Sequence, residues 1–329
     1  MQTAVIGGGA WGTAIAAHLS RKGHDVRLWV YEPELFRVIT QTRENSYYLP
    51  GFQMSDAISL TDSLEDVAGC HTIILATPSF ALRSVLTQVA GSVRDRNVLI
   101  LTKGLETETL LRMSQVAGQV LGPEARVAAL SGPSFAKEVA VEVFTAVVVA
   151  SGNQTVARHF QELLHNHRLR VYTSDDVLGV ELGGALKNVM AIGAGIIDGL
   201  HLGSNTQAAY ITRALAEIKR LGKALGARET TFMGLSGIGD LVLTCTGPLS
   251  RNRMFGIELA RGRKAAEILH SQKAVVEGYY TVDAAYRLST TLNVEMPITE
   301  QLYQIIYHDK DAGKSLEEIT RRAFKEEDA

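Results

Sequence analysis

Cysteine and proline are scarce in this chain, 2 and 7 residues of 329. Cys70 and Cys245 lie far apart, which gives neither a disulfide framework nor a zinc-ligand spacing. Little proline beside 46% hydrophobic residues excludes a disordered or low-complexity chain. An excess of either charge is also missing. Lys and Arg number 33 against 35 Asp and Glu, for a net charge of −2, so there is no electrostatic footprint for nucleic acid. No basic segment, apolar core and cleavage site precede "TAVIGGG". The nearly uncharged stretch "ELGGALKNVMAIGAGIIDG" (181–199) has a lysine in its middle and falls short of the roughly 20 apolar residues of a membrane span. These absences predict a cytoplasmic protein with neither a nucleic-acid partner nor a membrane-inserted segment. The length predicts two domains, since a domain usually takes about 100–200 residues.

What is present falls into two halves. "TAVIG", "DVRLWVY", "HTIILAT", "NVLILTKG", "RVAALSG" and "TAVVVAS" are short apolar runs of the kind buried on both faces of a parallel sheet. Helical segments fall between them, at about 9–22, 64–68, 79–89 and 155–164, the first closed by Gly23. The alternation predicts a doubly wound, Rossmann-like α/β sheet. From about Asp175 the apolar residues recur at helical spacing, and no clear strand returns. Helices are expected at 177–199, 206–225, 254–261, 281–292 and 299–307. The expected architecture is an N-terminal dinucleotide-binding domain over 1–180 and an all-α substrate and catalytic domain over 181–329. The charged tail "RRAFKEEDA" reads as a solvated helix end.

The first strand runs into "VIGGGAWG". Gly7 permits a tight turn, Gly9 admits a pyrophosphate to the backbone, and Gly12 lets helix and strand pack closely. The helix, opening at Ala10, offers N–H groups and a partial positive charge to the phosphates. The second strand ends about 20 residues later at Glu32, where such a fingerprint places a ribose-binding acid and so favours NAD. Arg27, Arg37 and Arg43 are near enough in sequence to leave NADP open, and Tyr31 is a candidate to stack on the adenine.

Lys187 stands alone in its apolar helix. Its face carries Gly183, Gly184, Ala191 and Ala194, all small, which reads as an open ledge over the lysine. Gly183, Gly184 and Gly193 each cost a helix about 0.8–1 kcal/mol relative to Ala, so they suggest close backbone approach. The alternative is a lysine snorkelling to water. In "GLSGIGDLVLTCTGPLSRNR", Asp240 is either a helix cap or a functional carboxylate, with Thr244 on its face. Ser250, Arg251 and Asn252 offer a hydroxyl, a guanidinium and an amide at another helix start, which suits a phosphate. Lys103 in "LTKGLE", and Gly132, Ser134 and Lys137 in "SGPSFAKE", follow predicted strands, where open α/β sheets bind ligands. The pair His165 and His167 lacks further metal ligands and reads as solvated loop. No metal site is expected. His18, on the glycine-loop helix, reads as partly exposed.

"GGGAWGTA", "TKGLE", "SGPSFAKE", "GGALKNVMAIGAGIIDG", "FMGLSGIGDLVLTCT", "SRNR", "VVEGY" and "MPITE" stand in this order over nearly the whole chain. With them the chain resembles the bacterial NAD(P)-dependent glycerol-3-phosphate dehydrogenases. The resemblance implies reversible hydride transfer between NAD(P)H and dihydroxyacetone phosphate, giving sn-glycerol 3-phosphate for glycerophospholipid synthesis. It implies that Lys187 transfers the proton and that Asp240 belongs to the catalytic set. Lys103 would contact substrate and cofactor, Gly132 and Ser134 would line the substrate site, and Asp240, Ser250, Arg251 and Asn252 would complete it. Ala136, Trp11, Val275 and Glu277 match cofactor-contacting positions, and Arg251 lies near the cofactor as well. The partner implied is a small phosphorylated substrate, and members of this family commonly self-associate. Two departures stand out. Glu142-Val143-Phe144-Thr145 replaces the family's Gly-x-Pro-Thr turn, and Tyr31 replaces a frequent His or Arg, which leaves the NAD or NADP preference open. The alternatives are a two-domain hydroxy-acid or ketopantoate-type reductase, which has no need of the phosphate site that "SRNR" supplies, and a non-catalytic dinucleotide sensor, which has no need of Lys187 and Asp240.

Overall fold

The computed structural model describes residues 2–321 and 326. Eight strands form one sheet: β1 (Gln2–Ile6), β2 (Asp25–Trp29), β3 (Ile58–Thr61), β4 (Thr72–Leu75), β5 (Asn97–Ile100), β6 (Arg126–Ser131), β7 (Thr145–Ala150) and β8 (Leu169–Ser174). Between them lie α1 (Ala10–Arg21), α2 (Pro33–Thr42), α3 (Ser79–Val93), α4 (Met113–Leu121), α5 (Ala136–Ala140) and α6 (Gln154–Leu164). The expected helix at 64–68 is a single 3₁₀ turn, Leu64–Val67.

The strand order is β3-β2-β1-β4-β5-β6-β7-β8. Order reverses between β1 and β4, and that reversal opens the crevice in which such sheets bind ligands. Two expectations need correction. The sheet is mixed, because β7 runs antiparallel to β6. Between them the chain forms one helix of five residues, which rises only about 7.5 Å. A return to a parallel strand is usually made by a longer helix packed on the sheet, and here the chain comes back directly as an antiparallel neighbour. The sheet also holds two strands beyond the expected six, β3 and β8. Both are edge strands with exposed residues interleaved among buried ones, so neither shows a continuous apolar run.

Alternate strand residues feed two cores. Val5 and Leu28 pack with Ile15 and Leu19 of α1, Leu35 of α2 and Phe160 of α6. Ala4, Ile6 and Ile73 face the other way, against Leu82 and Leu86 of α3 and Val116 of α4. The basic C-terminal end of α1, Arg21 and the C-cap Lys22, anchors it to its neighbours. Lys22 Nζ donates to the carbonyls of Glu162, Leu163 and His165, and Arg21 Nη1 to that of Ala140. Cations are favoured at helix C-termini, where carbonyls lack partners. His18, expected to be partly exposed, is buried, with Nε2 2.6 Å from the Leu164 carbonyl. Burial pulls its pKa down to about 4.

The helical part opens with α7 (Val177–Gly199) and continues through α8 (Gly203–Leu225), α9 (Glu229–Phe232), α10 (Asp240–Thr246), α11 (Arg251–Ala260), α12 (Ala265–His270), α13 (Glu277–Thr291), α14 (Pro297–Tyr307) and α15 (Ala312–Thr320). Most of the tail read as a solvated helix end lies outside the described residues. By length and hydropathy α7 passes for a membrane span, but 94% of that window is buried inside the protein. It is the core helix, and its glycines are the reason others can press against it. A Cβ on Gly195 would stand 1.9 Å from the Arg253 carbonyl oxygen, and one on Gly256 1.9 Å from that of Ile192. Helices α7 and α11 therefore touch backbone to backbone. Gly256→Ala should destabilise the fold by about 2 kcal/mol or more, in the range of overpacked cores. Chemical denaturation reads this, and an unchanged midpoint would reject the close crossing.

Candidate active site

The glycine loop has the geometry its spacing predicts. Gly7 has φ +126°, and a Cβ there would meet the Ala76 carbonyl oxygen at 2.6 Å. A Cβ on Gly12 would stand 1.9 Å from the Gly7 oxygen, so helix and loop are in contact. Gly9 faces open space, with nothing within 4 Å of such a Cβ. It is also the N-cap of α1 and makes no side-chain cap, and the first turn holds no acid. The amides after Ala10 are left for an anion. These residues fit a dinucleotide pyrophosphate. Trp11 is half-buried against Leu49 and Ala140. Glu32 ends the strand region and is the N-cap residue of α2, but its carboxylate makes no cap. It accepts from the Tyr48 hydroxyl at 2.7 Å. Tyr31 is 73% exposed and tilts against Trp29.

The same end of the sheet holds the charged centre. Asp240 is fully buried, yet it does not cap its helix as the structural reading allowed. Its Oδ2 accepts from Lys103 Nζ at 2.6 Å, and its Oδ1 lies 2.7 Å from Lys187 Nζ. The Gly132 amide, at 3.3 Å, and Ser131 Oγ, at 3.4 Å, also donate to Oδ2. Burial opposes ionisation of Asp240, but the two ammoniums outweigh it and hold the carboxyl below its ordinary value. Lys103 sits in a tug of war of its own. Burial and the neighbouring Lys187 pull it down to about 8, against the upward pull of Asp240.

Lys187 is 8% exposed and does not snorkel. Its ammonium also donates to Thr244 Oγ1 at 2.8 Å, and that hydroxyl donates on to the Asp240 carbonyl. The small residues around it do not form an open ledge. A Cβ on Gly183 would meet the Ser236 carbonyl oxygen at 2.3 Å, and one on Gly184 would meet Ser131 Oγ at 2.5 Å. Ala191 and Ala194 are fully buried. The glycines admit the neighbouring walls of the site. A wide π-type turn, Leu235–Gly239, brings Ser236 there and delivers Asp240. Gly237 within it is non-helical, at φ −102° and ψ −105°.

"SRN" does open a helix. Ser250 is the N-cap of α11 and accepts from the Arg253 amide at 3.2 Å. Asn252 is a bridge, donating to Asn188 Oδ1 at 2.9 Å and accepting from the Gly278 amide at 2.9 Å. Asn188 in turn donates to the Lys103 carbonyl at 3.4 Å. Arg251 projects with an exposed surface, its charge acting on Glu277 and Tyr48. Glu277, at the start of α13, accepts from the Ser79 amide at 3.1 Å and the Ser79 hydroxyl at 2.6 Å. Burial raises its pKa. Val275 is half-buried two residues earlier.

Gly132 takes φ +130° and its carbonyl accepts from Lys103 and from Ser134 Oγ, so these three residues do come together. Ala136 begins α5, whereas Lys137 is exposed. Glu142 stands where a glycine was expected and takes φ +60°, so the turn forms at the expense of left-handed strain. Of the two loop histidines, His167 is exposed, but His165 is half-buried and its Nδ1 accepts from the Val171 amide at 3.3 Å. Nothing in the sequence points to Ser131, Ser79, Asn45 or Tyr48. None carries a charge, and none lies in a motif whose spacing implies its partner.

Two family models together match most of the chain. The N-terminal model of NAD-dependent glycerol-3-phosphate dehydrogenase matches residues 2–157, and the C-terminal model matches residues 176–317. The chain is 51% identical over 327 residues to glycerol-3-phosphate dehydrogenase [NAD(P)+] of Geobacter sulfurreducens, covering 98% of each chain. A crystal structure of glycerol-3-phosphate dehydrogenase from Coxiella burnetii superposes with a TM-score of 0.93 at 39% identity, over 98% of this chain and 99% of that one.

Removing the buried carboxylate should leave two ammoniums facing each other. Asp240→Asn is expected to lower stability at neutral pH by about 3 kcal/mol, the cost of breaking a buried pair. Asp240 holds Lys103 up at about 8, so without it the lysine sheds its proton at lower pH, and the deficit should narrow as pH rises towards about 8. Thermal melts across that range read the change, and a deficit that grows with pH would contradict it.

Proposed function

Given that the chain belongs to the NAD-dependent glycerol-3-phosphate dehydrogenase family, we propose that it interconverts dihydroxyacetone phosphate and sn-glycerol 3-phosphate with NAD(P)H. The observation that carries the reading is Asp240 held between Lys103 and Lys187 beyond the carboxyl ends of β5 and β6. In this reading residues 1–180 hold the dinucleotide and residues 181–329 complete the substrate site. Gly7, Gly9, Ala10, Trp11 and Gly12 hold the pyrophosphate side, Glu32 and Tyr31 the adenosine side, and Lys103, Ala136, Val275, Glu277 and Arg251 the rest. The setting is cytoplasmic, and the product feeds glycerophospholipid synthesis. When bound, the nicotinamide supplies hydride to the carbonyl carbon in reduction and accepts it in oxidation.

The protein's own part is proton movement and charge. In reduction the Lys187 ammonium donates to the carbonyl oxygen. In oxidation the neutral amine takes the hydroxyl proton. Asp240 and Thr244 fix where that nitrogen lies. Lys103 faces the charge that develops on oxygen, and a preorganised cation in a dry site is worth more there than in water. Arg251 and the α11 terminus, with Ser250 and Asn252, offset the substrate phosphate. Gly132 and Ser134 shape the wall behind Lys103.

Purified protein should oxidise NADH or NADPH rapidly with dihydroxyacetone phosphate, followed at the nicotinamide absorbance. Folded protein that oxidises neither would overturn the reading. Lys187→Ala should lower kcat by about 10²–10⁴-fold, the usual worth of a positioned acid or base, with cofactor affinity near wild type. A normal rate in that variant would remove Lys187 from proton transfer. The substrate KM should rise as pH passes about 8 and Lys103 loses its charge. A KM that is flat through that range would take Lys103 out of substrate binding.

A further inference from the structure

We infer that this chain selects the dinucleotide with an unphosphorylated adenosine ribose, NAD(H) over NADP(H), and that Tyr48 sets the choice by holding the Glu32 carboxylate in place. The inference rests on the proposed function and sharpens it.

Glu32 is free to serve as the ribose reader. It stands at the N-cap of α2, where a carboxylate is ordinarily consumed by the helix amides, yet it makes no such bond. Its Oε1 accepts from the Tyr48 hydroxyl at 2.7 Å, and Oε2 has no partner among the described residues. One oxygen is thus fixed and the other is left to accept from a ribose hydroxyl.

Tyr48 is itself tied to the phosphate loop. Its amide donates to Asn45 Oδ1 at 3.1 Å. Asn45 is fully buried, and its Nδ2 donates at 2.8 Å both to the Gly8 carbonyl and to Thr13 Oγ1. One buried amide therefore links the glycine loop, the first turns of α1 and the tyrosine that grips Glu32. The pyrophosphate end and the ribose end of the groove are held in one register.

Arg251, whose charge reaches Tyr48, serves the substrate phosphate in the proposed function, and two of the three arginines nearest Glu32 in sequence are committed elsewhere. Arg27 donates to the Asp66 carbonyl at 2.6 Å. Arg43 donates to the carbonyls of Ser55 and Ile58, and its Nε lies 3.2 Å from Asp56. Only Arg37 of the three is exposed and without a partner among the described residues. A phosphate entering here would face a carboxylate tethered by Tyr48, and like charges so placed disfavour the wrong partner.

The test is isothermal titration of the full chain with NADH and with NADPH, without substrate. Wild type should bind NADH at least about thirtyfold more tightly than NADPH. Tyr48→Phe should weaken NADH binding by about five- to tenfold and shrink the ratio. Glu32→Gln should tighten NADPH by about tenfold. Wild-type affinities within about threefold of each other, or tighter NADPH, would overturn the selection. An unchanged ratio in folded Tyr48→Phe would overturn the role of Tyr48. Wild-type protein that binds neither dinucleotide would instead overturn the proposed function.

Discussion

A carboxylate with no exposed surface that touches two ammoniums is the constraint around which the molecule is arranged. Asp240 comes from the helical part, Lys187 from α7, and Lys103 from the loop after β5 of the sheet. Buried charge is tolerated only when it is paired and hydrogen-bonded, because desolvation costs several kcal/mol per ion. Here the pairing crosses from one half of the chain to the other. The contact that makes the charges tolerable also fixes how the halves meet. Either lysine alone would leave one carboxylate oxygen short of its strongest partner.

That meeting requires backbone to come unusually close. Gly184 admits Ser131 of β6, and Gly183 admits the turn that delivers Asp240. A second tie lies one and two-thirds turns before Lys187. Glu181 of α7 accepts from Arg112 Nη1 at 2.6 Å and from the Ser114 amide at 2.7 Å, at the start of α4. Lys103 and Arg112 belong to one loop, bridged between Leu105 and Arg112. Both ends of that loop are therefore pinned to α7. Glu277 of α13 likewise ties the helical part to α3 through Ser79.

The parts legible in the sequence were those whose physics is local. The glycine loop shows because turn, close approach and helix start need glycine at fixed offsets. The helix Val177–Gly199 shows because its apolar run is long. The edge strands β3 and β8 do not, because exposed residues interrupt their buried ones. Lys187 and Asp240 each stand out in their own motifs, but the geometry of their pairing spans 53 positions and depends on a π-type turn no motif announces. The burial of His18 was invisible for the same reason. Its acceptor, Leu164, is 146 residues away. Asn45 and Tyr48 are neutral and unremarkable in sequence, and only the fold brings them to Gly8 and Glu32.

The central claim is that Lys103 and Lys187 act as one unit through Asp240. The direct test is a double-mutant cycle on kcat/KM with Lys103→Ala, Lys187→Ala and the double variant. Residues that act as a unit are strongly non-additive. The double variant should lose little more than the worse single one. Losses that simply multiply would mean that the lysines work independently and that Asp240 is only their structural anchor.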